Sequence, residues 1–272
     1  MEVNKIISHA LQSMPPSKRQ KAFAKDTSKL IHMGLNENNY GMSPKAVAAL
    51  EDSMAGSHFY PDFAAVLLKQ KVAEQYGLKA ENVLGKGAFQ CESYRATEAC
   101  SHCKKVRVQK EPDAGFHNIY LDTEKLGKWE HVNATYEYTL KEKIGEKTKI
   151  VVICNPNNPT GTYVPIGELE AFADTLPEDV LLVMDEAYME FATEPDCCSM
   201  VDYMKAHPEK PILVLRTFSK YYAMAGLRVG YALGSEELIG IMRKCSASWN
   251  LNVCAQKAAV AGPGGQENSQ GQ

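Results

Sequence analysis

Three short, almost wholly apolar runs, Lys149 to Cys154, Val180 to Met184 and Ile212 to Leu215, punctuate the second half of the chain, and stretches with helical spacing separate them. Strands apolar on both faces are buried on both faces, which is the habit of a parallel sheet covered by helices. The alternation therefore predicts a mostly parallel sheet flanked by helices, an α/β architecture whose ligand sites lie beyond the carboxyl ends of the strands. Asn155, Asp185 and Lys220 each follow such a run closely, so their side chains are expected to converge. Val229 to Leu233 adds another strand, and Ser235 opens a further amphipathic helix.

The first half is punctuated differently. Residues 1 to 13 alternate at helical spacing until Pro15 and Pro16 stop them, so the start reads as a short arm helix. An extended stretch through Leu35 to Gly41 follows, then Ser43 and Pro44 supply an N-cap and a first-turn proline for a helix running to Met54. Asp62 caps the next helix and Gly77 closes it. Residues 88 to 118 show little periodicity where a sheet should continue, and the tail from Gly262 to Gln272, rich in glycine and glutamine, reads as disordered.

Composition narrows the partners. A chain of 272 residues can bury a substantial core, and its formal charge of -3, with no run of lysine or arginine, argues against a nucleic-acid surface and for small-molecule ligands. No apolar stretch approaches the roughly 20 residues that span a bilayer, and the N-terminus has no secretory layout. The expectation is a cytoplasmic protein whose eight cysteines stay reduced, with Cys154 and Cys254 as small core residues. Cys100, Ser101, His102, Cys103 has the spacing of half a zinc site, with Cys91 and His117 as imaginable completions, but no second close pair follows and no metal is expected.

The chemistry concentrates in Thr217, Phe218, Ser219, Lys220 and, beyond Ala225, Gly226 and Leu227, Arg228. One lysine beside a hydroxyl cluster, with an arginine close behind, suits an amine that carries a phosphorylated aldehyde. A free lysine titrates at about 10.4 and gains nucleophilic and proton-transfer use at neutral pH only when its charged form is disfavoured. Upstream stand Asn155, Pro156, Asn157, Asn158, Pro159, Thr160, Gly161, and then Asp185, Glu186, Ala187, Tyr188. In this order the motifs resemble the fold type I, class I and II aminotransferases that depend on pyridoxal 5'-phosphate, and most closely the histidinol-phosphate aminotransferase family. Leu35, Asn36, Glu37, Asn38 with Tyr40, Gly41, Ser43, Pro44 looks like that family's substrate-side strand, and Tyr60, Pro61, Asp62 like its segment that reaches the neighbouring subunit.

By that resemblance Lys220 is the catalytic Schiff-base lysine and Asp185 keeps the cofactor's pyridine nitrogen protonated, so that the ring works as an electron sink. Asn158 and Tyr188 donate to the ring oxygen, and Thr217, Ser219 and Arg228 hold the phosphate, Arg228 through a planar fork. Tyr60 reaches the phosphate across a homodimer. The loop Gly85, Lys86, Gly87, Ala88, Phe89 is the candidate for further backbone amides around the phosphate, with Ala88 and Phe89 among the cofactor-binding residues.

The resemblance covers roughly residues 30 to 87 and 128 to 258. It implies an N-terminal arm over 1–34, a cofactor-binding large domain over 35–247 with an atypical 88–118, the start of an interdomain helix at 248–261, and a disordered tail at 262–272. Beyond Ala258 the family continues into a small domain, which is expected to be missing from this truncated chain. The implied reaction is transamination between an amino donor, histidinol phosphate, and a 2-oxo acid acceptor, 2-oxoglutarate. Alternatives are an aromatic amino acid aminotransferase, a phospho-amino-acid decarboxylase of the same fold, and a catalytically silent module or fragment.

Overall fold

The computed structural model describes residues 34–87, the backbone of three strands between 104 and 134, residues 144–145, 148–244 and 246–263. Contacts divide the chain into two units, Met1–Gly34 and Leu35–Gln272. The expected arm helix, the segment holding Ala88, Phe89, Cys91 and Cys100 to Cys103, the side chain of His117 and the tail from 264 onward lie outside the described residues.

Helix α1, Pro44–Met54, begins where the sequence places it: the Ser43 side chain accepts a hydrogen bond from the Ala46 amide, and proline fills the first turn, where no intrahelical donor is needed. Helix α2, Val66–Tyr76, is held at its start by Asp62, whose carboxylate accepts from Ala64 N at 2.9 Å and Val66 N at 2.7 Å. Gly77 ends it at φ 62°, a left-handed conformation that glycine adopts without a Cβ penalty.

The strands are β1 (Val83–Lys86), β2 (Lys104–Glu111), β3 (Gly115–Leu121), β4 (Trp129–Ala134), β5 (Thr148–Cys154), β6 (Leu181–Asp185), β7 (Ile212–Thr217) and β8 (Gly230–Gly234). They form one sheet in the order β1-β8-β7-β6-β5-β2-β3-β4. The parallel ladder predicted from the apolar runs, β5-β6-β7, occupies the centre, and β2, which no apolar run marks, extends it in parallel beside β5. Both flanks are antiparallel, β7-β8-β1 on one side and β2-β3-β4 on the other, so the sheet is mixed.

Period-two alternation sorts the central strands onto two faces. Leu182, Met184, Ile212 and Val214 belong to the larger core, which also takes Leu68 and Val72 of α2. Val183, Leu213 and Leu215 face the smaller core with Ile239. The remaining helices are α3 (Ile166–Asp174), α4 (Val201–Ala206), α5 (Glu236–Lys244) and α6 (Val253–Ala261), the last packed on α1 and α2. Ser235 Oγ accepts from Leu238 N at 3.3 Å as α5 begins. Among the described residues no helix is long and apolar enough to cross a membrane.

Three expectations need correction. The stretch from Leu35 to Gly41 is not extended but built of turns, with Leu35 and Asn36 at left-handed φ of 60° and 50°. Cys154 is buried as expected, but Cys254 is only half-buried on α6, with its thiol 3.7 Å from the exposed Ser57 hydroxyl, so it is not a core residue. Strand β7 does not stop at Leu215; it runs through the buried Arg216 to Thr217.

Candidate functional site

Parallel pairing aligns the ends of β5, β6 and β7: Cys154 lies beside Asp185, and Asp185 beside Leu215. The chain leaves the sheet in step, with Asn155 N bonded to Asp185 O and Glu186 N to Leu215 O, both at 3.0 Å. Residues just past these ends are therefore neighbours because the ladder is in register.

Asn155 does not join them as expected. Its buried amide is spent on the backbone of Val164, accepting from Val164 N at 2.7 Å and donating to Val164 O at 3.2 Å. It closes the loop that carries Asn158, whose peptide bond to Pro159 is cis, as is that between Asn155 and Pro156. Asn155→Ala leaves two buried backbone groups without partners and is expected to cost about 1–3 kcal/mol. A thermal scan should register a fall of about 2–4 °C for each kcal/mol, and an unchanged melting temperature would remove Asn155 from this role.

Tyr188 is the hub of the pocket. Its hydroxyl accepts from Asn158 Nδ2 at 3.3 Å and from Asn36 Nδ2 at 2.9 Å, and the Lys220 ammonium sits 5.7 Å from its ring centre. Lys220 Nζ donates to the carbonyls of Leu35 at 2.9 Å and Asn36 at 3.2 Å, residues held at φ 60° and 50°. Asn38 pins the same segment by donating to Tyr221 O at 2.9 Å. Two open clefts of about 510 Å³ and 450 Å³ adjoin here and share Asn36, Tyr188 and Phe191. The Asn36 contact was missed from sequence, where this stretch carried no assigned partner.

Asp185, at the end of β6, accepts from Ala187 N at 3.2 Å through Oδ1, while the Cys154 thiol lies 3.8 Å from Oδ2. Thr217, Ser219 and Arg228 form a second cluster: Thr217 Oγ1 accepts from Ser219 N at 3.0 Å, and Arg228 Nη1 donates to Ser219 Oγ at 3.4 Å and to Ala225 O at 2.6 Å. Arg228 is exposed, with φ 56°, so part of its fork faces solvent. A guanidinium beside a hydroxyl is suited to an anion such as phosphate.

Gly87, just past β1, meets the same cluster from the other side. A Cβ there would come within 2.9 Å of Asn250 O and 3.2 Å of Arg228 O, and both are backbone atoms. Gly87→Ala must push the chain away from Arg228, at an expected cost of about 1–3 kcal/mol for overpacking. Urea unfolding with a lowered midpoint and an unaltered slope would report it; an unshifted midpoint would mean that the two segments part freely.

Tyr60 is not brought to these residues within the chain. It is 80% exposed, and its ring stacks at 4.7 Å on Trp249, which Phe63 also meets edge-on at 6.0 Å. Ala88 and Phe89 lie outside the described residues. Among the described residues no group of three or more potential metal ligands occurs.

A family model described as aminotransferase class I and II matches residues 28–270. The chain is 38% identical over 239 residues to histidinol-phosphate aminotransferase 2 of Carboxydothermus hydrogenoformans, an overlap of 83% of this chain and 63% of that relative. It is 34% identical to histidinol-phosphate aminotransferase of Geobacillus thermodenitrificans, with 93% of this chain and 71% of the relative aligned. The chain thus spans a little under two thirds of the first relative's length. Among solved structures, histidinol-phosphate aminotransferase from Sinorhizobium meliloti in complex with pyridoxal-5'-phosphate shares the fold at a TM-score of 0.77 and 24% identity, over 97% of this chain and 72% of that one.

Proposed function

From the premise that this chain belongs to the class I and II aminotransferase family, we propose that it binds pyridoxal phosphate at Lys220 and moves an amino group from a donor to a 2-oxo acid. Histidinol phosphate as donor and 2-oxoglutarate as acceptor are the substrates favoured by the relatives' names. The carrying observation is the cluster around Tyr188, which gathers the amine of Lys220, lining one cleft, and the amide of Asn158, lining the adjoining one.

The residues present fit that cofactor. An amine, a carboxylate and two donors stand near the aligned strand ends, and a guanidinium with a hydroxyl in reach forms a second, anion-suited cluster. Bound there, pyridoxal phosphate supplies a carbonyl carbon that accepts the amino group and a ring that draws off electrons. Lys220 would hold the cofactor through its nitrogen and would serve as the group that moves a proton at the substrate α carbon. Asp185 holds the proton at the pyridine nitrogen. Tyr188 and Asn158 donate to the ring oxygen, which requires Tyr188 to turn its hydroxyl proton toward the ligand. Arg228, Ser219 and Thr217 would hold the phosphate, and Gly87 leaves room for the backbone of Arg228.

A homodimer belongs to the same proposal, with Tyr60 serving the partner's phosphate and Ala88 and Phe89 completing the cradle. Its support is the exposure of Tyr60, at 80%, next to the likewise exposed Phe59, Phe63 and Leu67. A cytoplasmic setting is part of the same proposal, and the free thiols of Cys197, Cys198 and Cys254 suit it.

The test has two stages. Incubation with pyridoxal phosphate followed by borohydride should leave a pyridoxyl group on the peptide containing Lys220, read by mass spectrometry. A second sample, loaded with pyridoxal phosphate and left unreduced, should give glutamate from histidinol phosphate and 2-oxoglutarate. Label on other lysines in place of Lys220 would defeat the proposal, and label without glutamate would defeat its substrate half.

A further inference from the structure

A charged trio lies behind the pocket, outside the residues assigned so far. Arg216 interrupts an otherwise apolar β7 and is 7% exposed. Its Nε is 3.3 Å from Glu186 Oε2 and its Nη1 3.2 Å from Glu190 Oε1. Glu186, with no exposure, is held further by Ser199 Oγ at 2.7 Å and Met200 N at 2.8 Å. Glu190 Oε2 is buried with no hydrogen-bond partner, and neither Arg216 Nε nor Nη1 makes a well-directed hydrogen bond despite the short ion-pair distances. The Tyr76 ring lies 5.8 Å from the guanidinium carbon, and its hydroxyl is hydrogen-bonded to that of Tyr231 at 2.8 Å.

As a source of stability this arrangement is poor. Two carboxylates face one guanidinium away from water, and burial pushes both glutamates up while Arg216 opposes the shift. Apolar residues of the same volume commonly match or exceed such a trio. What they would not supply is a fixed angle. A guanidinium is flat and rigid, so carboxylates on two of its nitrogens are held at a set separation and orientation.

The three charges sit where that constraint reaches the pocket. Glu186 follows Asp185 directly. Glu190 lies in the turn Met189–Phe191, which Tyr188 enters and Phe191 leaves, both lining the clefts. Arg216 precedes Thr217 and the segment that delivers Lys220. We propose that Arg216 is a positioning residue: clamped between Glu186 and Glu190, it sets the Tyr188 turn against the end of β7 and so fixes Tyr188, Asp185 and Lys220 relative to one another. The role in catalysis rests on the function proposed above; the clamp itself does not.

Amide hydrogen exchange separates clamping from bulk stability. Glu186, Met189 and Phe191 report the turn, Phe218 and Ser219 the segment after β7, and the amides of β5 serve as reference. Two variants are compared with the unaltered chain: Arg216→Lys, and the neutral triple Glu186→Gln, Glu190→Gln, Arg216→Met, which removes every buried charge at once. In either variant that folds, exchange should quicken about tenfold or more at the turn and after β7, as expected when a local opening becomes easier, while β5 stays as it was. Pyridoxal phosphate should also bind about tenfold more weakly. Unchanged exchange in both reporting segments would overturn the clamp, and so would a uniform rise that includes β5. Failure of the unaltered chain to take up pyridoxal phosphate would defeat the proposed function alone, since exchange still decides the clamp.

Discussion

Lys220→Ala is expected to abolish borohydride-trapped pyridoxyl label at this position and to lower amino-group transfer by at least about 10²–10⁴-fold, the range that a positioned proton carrier contributes. Lys220→Arg should fail equally. Arginine keeps the positive charge, and with it the attraction for the carbonyls of Leu35 and Asn36 that Lys220 now contacts at 2.9 Å and 3.2 Å. It does not supply an amine that can lose its proton and attack a carbonyl carbon. The pair of variants thus separates chemistry from charge. Were Lys220 only a latch for the segment from Leu35 to Tyr40, the arginine variant would largely preserve function, and transfer at near the unaltered rate in Lys220→Arg would sink the assignment. Label on the unaltered chain with no transfer would instead favour the silent-module reading over the transaminase.

The features that sequence made legible are those governed by local rules. The caps at Ser43 and Gly77 appear where a side-chain acceptor and a residue tolerant of positive φ are needed. The apolar runs became the parallel centre of the sheet because strands buried on both faces have no polar position to spare. The antiparallel flanks were not legible, since pairing of β1 with β8 joins residues such as Val83 and Leu233 that no local pattern relates. Within the site, Asp185 stands at the end of β6 with its carboxylate on Ala187 N, whereas the amide of Asn155 turned to the backbone of Val164. Both follow apolar runs, and the pattern does not say what an amide will find to bond. Arg216 was not legible for a related reason. The apolar run ends at Leu215, and only Glu186 and Glu190, brought from elsewhere in the chain, make the burial of the charge that follows it tolerable.

Asp185→Asn separates attachment from electron withdrawal. Asparagine preserves shape, and one oxygen can still accept from Ala187 N as Asp185 Oδ1 does at 3.2 Å. It removes the negative charge that makes a proton on the pyridine nitrogen favourable. Cys154, whose thiol lies 3.8 Å from Asp185 Oδ2, is buried and has no charge to offer in its place. Because the proposed function assigns attachment to the Lys220 amine and the phosphate cluster, the Asn variant should still carry pyridoxyl label at Lys220 after borohydride. Amino-group transfer should fall by about 10²–10³-fold, the scale set by losing one preorganised electrostatic partner. Asp185→Glu tests distance: it keeps the charge but lengthens the arm, and a partial recovery above the Asn variant is expected. If Asp185→Asn transferred at the unaltered rate while Lys220→Ala did not, the acid at the end of β6 would be serving only as a cap for the turn that follows it.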